Sequence, residues 1–190
     1  MATGAIGLVA IILIGGLLVA GLWFMMTYNV LVGLRNQVKN AWAQIDVQLK
    51  RRHDLIPNIV ETVKGYAKHE RETFDAVVKA RSAAVQASGV AAQAKAEGEL
   101  SGVLSRLMAV AEAYPDLKAN QNFLGLQEEL SSTENKIAFS RQAYNDQVMM
   151  YNTKIQMVPS NMVAGFGGFT AMDLFELKDN AQREAPSVKF

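Results

Sequence analysis

The chain has 190 residues, of which 50% are hydrophobic and 19% charged, an apolar composition for a soluble domain. Nineteen basic and 18 acidic side chains give a net charge of +1, which excludes a polycationic nucleic-acid-binding protein. The lack of cysteine excludes disulfides, thiol catalysis, iron–sulfur clusters and Cys-ligated zinc.

The first predicted element is a transmembrane helix. The 22 residues from Ala5 to Met26 carry no charge, and as a helix they would reach about 33 Å, enough for a hydrocarbon core of about 30 Å. Trp23 and Tyr28 fall where an aromatic belt meets the headgroups. A cleaved secretory signal is the alternative, but it requires a basic n-region that the residues before Ala5 lack. We predict an uncleaved single-pass anchor over residues 1–27.

The basic residues around this span are asymmetric. None precedes it, whereas Arg35, Lys39 and the run Lys50–Arg52 follow it. The positive-inside rule therefore predicts that the N-terminus lies outside the cell and the body of the chain in the cytoplasm.

Apolar residues at helical spacing predict four helices over residues 28–158. The first ends at Asp54–Pro57, because proline lacks an amide and clashes with the preceding turn. The second carries apolar residues from Val60 to Val85. The Ala-rich stretch 91–100 is interpreted as a connection, and the third helix runs from Leu100 to Tyr114.

The fourth predicted helix carries a coiled-coil-like seam and ends at Pro159. Six large apolar residues recur every seven positions, namely Phe123, Leu130, Ile137, Tyr144, Tyr151 and Val158. Four amphipathic helices with short connections most economically form an up-and-down bundle. The predicted fold class is therefore all-α, with a transmembrane helix followed by a four-helix bundle of long helices.

Charged residues interrupt the predicted seams. If the first and fourth helices run antiparallel from a common membrane end, the numbers of facing residues sum to about 187. Asp46 then lies opposite Arg141. In the same register Arg52 falls within a residue of Glu134. We expect interhelical ion pairs that set the register, and the alternative is that all four charges reach solvent.

The segment 159–175 combines apolar side chains with glycines. A fourth helix returning to the bilayer would deliver this flexible segment to the headgroups, where buried apolar side chains contribute about 1.5–3 kcal/mol each. We predict a membrane or oligomer contact through Met162, Val163, Phe166 and Phe169. The alternative is a loop packed under the bundle. Residues 176–190 are interpreted as a tail.

No catalytic constellation is apparent. His69–Glu70 begins like the zinc motif H-E-x-x-H, but threonine occupies position 73. A P-loop and a G-x-S-x-G motif are also missing. We predict a non-enzymatic protein without cofactor or metal. A hydrolase site built from the four seam charges is the alternative that a buried cleft would favour.

Four stretches resemble the LemA family of bacterial membrane proteins. They are residues 28–70, LQEELSSTENKIAFSRQAYN at 126–145, PSNMVAGFGGF at 159–169 and the closing APSVKF at 185–190. The resemblance implies a single-pass anchor with an outer N-terminus and a soluble four-helix domain, without an established activity. Some magnetosome-associated membrane proteins look similar.

We therefore predict a scaffold in the bacterial inner membrane that acts through self-association and through binding of a partner or the membrane surface. The expected partners are the lipid bilayer, further copies of the chain and a membrane protein, but no nucleic acid. One alternative is an adaptor or regulator of a membrane protease, because family members are often encoded near one. Another is a sensory bundle on the outer face.

Overall fold

The structure, a computed structural model, describes residues 2–176 and gives side-chain surroundings from Ile11 onward. These residues form six α-helices without any strand, which confirms the all-α class. The helices are α1 (Ala2–Lys64), α2 (Arg71–Gln86), α3 (Val90–Glu112), α4 (Pro115–Lys118), α5 (Gln121–Gln156) and α6 (Ser160–Phe166). The predicted tail lies outside the described residues apart from Glu176.

The chain divides into two compact units. Within the described range, the first unit contains residues 2–41 and 146–172, and the second contains residues 42–145 and 173–176. Helices α1 and α5 contribute one part to each unit.

The second unit is a four-helix bundle. In it α1 and α5 run antiparallel, because the Trp42 ring packs on Tyr144 at 5.4 Å between centroids, whereas Asn120 Nδ2 donates to the Tyr66 hydroxyl at 3.0 Å. Apolar side chains of all four helices form one core, which also includes Leu117 of α4. Its members include Ile56, Ile59, Val63, Phe74, Val77, Leu100, Leu104, Leu107, Phe123 and Leu130.

Helix α1 continues through Pro57, so the predicted break at Asp54–Pro57 is wrong. Pro57 has no amide to bond the carbonyl of His53, four residues earlier. Arg81 of α2 donates to that carbonyl through Nε at 2.7 Å. A side chain from another helix thus replaces the missing backbone donor. The rule that proline ends a helix considers only neighbouring residues, so it could not predict this contact.

The break between the first two bundle helices lies at residues 65–70 instead. Val60 and Val63, assigned above to the second helix, belong to α1. Gly65 directly follows the end of α1, and glycine is less favourable than alanine in a helix interior by about 1 kcal/mol. Val85, expected on an apolar face, is exposed.

The Ala-rich stretch 91–100 is helical, which corrects its interpretation as a connection. Alanine is the best helix former, and Ala94, Glu97 and Leu100 point inward at three-residue steps. The sequence did not reveal this periodicity, because a glutamate, Glu97, occupies one of the inward positions.

Five of the six predicted seam residues of α5 are buried, from Phe123 to Tyr151. Val158 is the exception: it lies beyond the end of α5 and is 79% exposed. In the first unit the buried side chains come from three helices and include Leu31, Val38, Val148, Tyr151 and Val163.

Candidate membrane-contact site

The apolar stretch of α1 has little protein packed against it. Its large hydrophobic side chains from Ile11 to Met26 are 39–74% exposed. The helix is long and apolar enough to cross a membrane, judged by length and composition. Because exposed apolar surface is unfavourable in water by about 25 cal/mol per Å², this stretch suits a lipid environment.

The aromatic residues at the end of this stretch contact the segment that follows α5. Phe24 meets Phe166 edge to face at 6.3 Å between ring centroids. One turn further along α1, Tyr28 meets Phe169 in the same way at 5.4 Å. The predicted belt residues Trp23 and Tyr28 are both partly exposed. The end of the apolar stretch and the segment after Pro159 therefore lie together in the first unit.

Residues 160–166 form a short helix, which corrects the expectation of a flexible glycine frame. The Ser160 hydroxyl lies 2.7 Å from the Lys154 carbonyl oxygen and 2.9 Å from that of Met157, and it donates to these groups at the end of α5. Helix α6 then turns Val163 and Ala164 inward.

Four apolar side chains remain on the outside of this segment, and we call them the apolar patch. Met162 and Phe166, one turn apart on α6, are 63% and 84% exposed. Met157 and Val158, which precede α6, are the other two members. The structure thus divides the four predicted contact residues: Met162 and Phe166 face outward, whereas Val163 and Phe169 are buried and hold the segment in place.

Two glycines allow Phe169 to fold back against the chain. A Cβ on Gly167 would lie 2.4 Å and 2.8 Å from two atoms of the Phe169 ring and 3.1 Å from the Tyr28 ring. Gly168 has a φ of +65°, a left-handed conformation that side chains disfavour. The guanidinium of Arg35 covers the same ring at 5.1 Å from its centroid.

Two Tyr-Asn pairs on α5, seven residues apart, bind the extended chain after α6. In the first unit Tyr151 donates to the Thr170 carbonyl, and the Asn152 amide bonds both backbone groups of Met172 at 2.9 Å. Burial raises the pKa of the Tyr151 hydroxyl, and the nearby charge of Arg35 offsets only part of this rise.

The second unit repeats the arrangement. Tyr144 donates to the Asp173 carbonyl, and Asn145 bonds both backbone groups of Phe175. Burial, followed by the charge of Asp173, raises the pKa of Tyr144. Both tyrosines were predicted only as seam residues, although the Tyr-Asn pair that repeats after seven residues was a signal for this function.

A buried ionic cluster of Arg52, His53 and Glu97 lies inside the second unit. One Glu97 oxygen accepts from Arg52 Nη2, and the other lies 2.9 Å from His53 Nε2 and 2.8 Å from Gln93 Nε2. Arg52 Nη1 also donates to Ser101 at 3.0 Å. Burial raises the pKa of Glu97, but the bond with His53 and the charge of Arg52 outweigh it and bring the pKa below its ordinary value.

Of the two predicted ion pairs, the described residues contain only the one between Arg52 and Glu134. Arg52 Nη1 lies 3.9 Å from Glu134 Oε1, but Glu134 is half-exposed, and Glu97, which the sequence analysis missed, is the buried partner of Arg52. Asp46 and Arg141 form no ion pair within the 2–176 range. Asp46 is exposed one position beyond the buried Ile45, about 100° round the helix. The register role stays a prediction.

Metal binding finds no support in the described part of the chain. No group of three His, Cys, Asp or Glu side chains there is placed to hold an ion.

Comparison with known proteins identifies relatives that match most of the chain. Residues 41–190 match the model of the LemA family. Magnetosome protein MamQ 2 of Paramagnetospirillum magneticum is 26% identical over 180 residues, covering 81% of this chain and 66% of the relative. Protein LemA of Metamycoplasma hominis is 28% identical over 140 residues, covering 72% and 63%. The chain thus spans slightly less than two thirds of the length of these relatives.

Proposed function

The chain belongs to the LemA family, and on that premise we propose that it is a membrane-anchored, non-enzymatic helical scaffold. Residues 1–27 anchor it in the bilayer, and the apolar patch rests on the membrane surface beside the anchor. Self-association of the anchored chains organises the membrane. The relatives named magnetosome proteins support an association with a membrane-bounded structure.

The observation that carries this proposal is the position of Phe166. Its ring contacts Phe24 near the end of the apolar stretch, yet it is 84% exposed. Transfer of such a large, exposed apolar side chain from water into the headgroup region lowers the free energy. The buried Val163 and Phe169 fix α6 beside the end of the apolar stretch, so the apolar patch is already positioned for contact with the membrane surface.

A probe at the patch tests this contact. Because the chain has no cysteine, Met162→Cys provides a unique site for a polarity-sensitive fluorophore in the full chain reconstituted into vesicles. We expect blue-shifted emission that lipids brominated near the headgroup quench. The control is Asn40→Cys, at an exposed position of α1 about 18 Å past Tyr28, whose probe is expected to stay in water. Equal quenching at both sites would refute the surface contact.

The orientation of the anchor is a separate part of the proposal. Arg35 and Lys39 follow the apolar stretch, and the positive-inside rule supports a cytoplasmic body. Thr3→Cys and Asn40→Cys in intact cells, treated with a membrane-impermeant thiol reagent, separate the two orientations. We expect labelling at position 3 alone; labelling at position 40 alone would place the body outside.

A further inference from the structure

The side of α5 that faces away from the bundle core carries an unusual residue, Phe139, which is 74% exposed. It belongs to a line of exposed residues spaced three or four apart, which we call the outer line. A shallow surface depression runs along most of it. The outer line consists of Gly125, Glu128, Ser132, Lys136 and Phe139.

The outer line is arranged symmetrically about Ser132. Glu128 and Lys136 lie four residues to either side of it, with opposite charges. Gly125 and Phe139 lie seven residues to either side, one without a side chain and one with a large apolar one. A Cβ placed on Gly125 would meet nothing within 4 Å, so the surface there is open.

We propose that the outer line binds a second copy of this chain, with the two α5 helices antiparallel around a twofold axis at Ser132. The proposal rests on the self-association in the proposed function and assigns it a surface. In an antiparallel α5 pair the two α1 helices also run in opposite directions, so the paired chains are anchored in two facing bilayers. A twofold interface uses the same residues of both copies. Here each Phe139 covers the Gly125 of the other copy, and each Glu128 meets the other copy's Lys136.

The charges decide between antiparallel and parallel pairing. In a parallel pair each residue would face its own counterpart, so that Glu128 would meet Glu128 and Lys136 would meet Lys136. Like charges at such positions are destabilising. In the antiparallel pair both contacts join opposite charges, and the two phenylalanines leave water.

Charge reversal tests the pairing in the full chain in detergent. Glu128→Lys alone, or Lys136→Glu alone, creates two repulsive contacts in place of two attractive ones and should weaken dimerisation about tenfold. The double variant restores both contacts and should return the affinity to within about threefold of the original. An equimolar mixture of the two single variants should pair as strongly as the parent chain. Failure of the double variant and of the mixture to recover would overturn the proposal.

Cysteine crosslinking tests the axis itself. Ser132→Cys should form a disulfide dimer under mild oxidation, whereas Gly125→Cys should crosslink only to a Phe139→Cys chain. The control is Gln127→Cys, an exposed position about 140° round the helix from Ser132, which should stay uncrosslinked. Homodimers of Gly125→Cys would indicate parallel pairing and overturn the proposal.

The oligomeric state of the parent chain separates this proposal from the one on which it rests. A chain that is oligomeric by native mass spectrometry but does not crosslink at residue 132 refutes only the outer line. A monomeric chain refutes self-association altogether, while the fluorescence test at Met162 still decides membrane contact.

Discussion

Arg81 donates a hydrogen bond to the carbonyl of His53 at 2.7 Å, and this is the carbonyl that Pro57 leaves without a backbone amide. The contact joins α2 to the turn of α1 that lacks one backbone hydrogen bond. A long helix thus crosses a proline because a residue 28 positions away along the chain supplies the missing donor.

Replacing Arg81 by methionine should therefore destabilise the second unit. An unsatisfied carbonyl in a partly buried position costs about 1–3 kcal/mol, which urea unfolding of the full chain, followed by circular dichroism, can measure. Pro57→Ala restores the local amide, so Arg81→Met should cost clearly less in that background. The control is Arg71→Met, at an exposed position of α2. An equal loss in both backgrounds would contradict this explanation of how α1 continues.

Glu97→Gln should be one of the most damaging single substitutions. It removes the charge that compensates Arg52, which is buried, and an uncompensated buried charge costs about 3–5 kcal/mol. Arg52→Met combined with Glu97→Leu should be far less damaging, because apolar residues often replace a buried ion pair at little cost. Glu99→Gln serves as the control, since Glu99 is exposed on the same helix. The expectation fails if the two glutamine variants have similar unfolding midpoints.

The pH dependence of stability should contain a contribution from Glu97. Its pKa in the folded chain lies below the ordinary value of 4.5, so the folded chain binds this proton less readily than the unfolded chain does. The stabilisation is complete above the ordinary value and is lost as pH falls through the folded pKa. Unfolding free energies measured from pH 7 downward should therefore fall more steeply below about pH 4.5 for the parent than for Glu97→Gln. Parallel curves for the two proteins would exclude this contribution.

Gly167→Ala should disturb the packing of Phe169. The added Cβ would overlap the Phe169 ring and crowd Tyr28, and such overpacking costs about 1–3 kcal/mol. Gly165→Ala is the matched control, because a Cβ there meets nothing within 4 Å and α6 gains helix propensity. We expect a lower Tm for the first variant only. If both variants melt like the parent, the close approach of Phe169 to the backbone does not constrain this position.

Periodic features were predictable from the sequence, and features that depend on distant partners were not. The seam of α5 from Phe123 to Tyr151 follows from its seven-residue spacing, and the apolar stretch of α1 follows from its length. The rule for proline failed at Pro57 because it treats a helix in isolation. Glu97 was missed because a charged residue on the buried face breaks the apolar pattern by which helices are recognised.

The candidate site was predicted at the level of the segment but not of the single residue. The composition of 159–175 indicated an apolar contact. It did not reveal that Val163 and Phe169 would turn inward while Met162 and Phe166 stayed outside. That division depends on the turn at Ser160 and on the space that Gly167 provides, and both follow from atomic packing rather than from composition.

The Tyr-Asn pairs of α5 imply how the chain after α6 tolerates evolutionary change. Asn145 and Asn152 bond only main-chain groups of residues 175 and 172, so these bonds do not depend on which side chains occupy the two positions. Substitutions of Met172 that keep the backbone N–H are therefore tolerated. Proline has no N–H to donate to Asn152 and should be selected against. Position 175 has a second restriction, because the Phe175 ring packs on Trp42. Of positions 172 and 175, only position 175 should therefore retain an aromatic residue in orthologues.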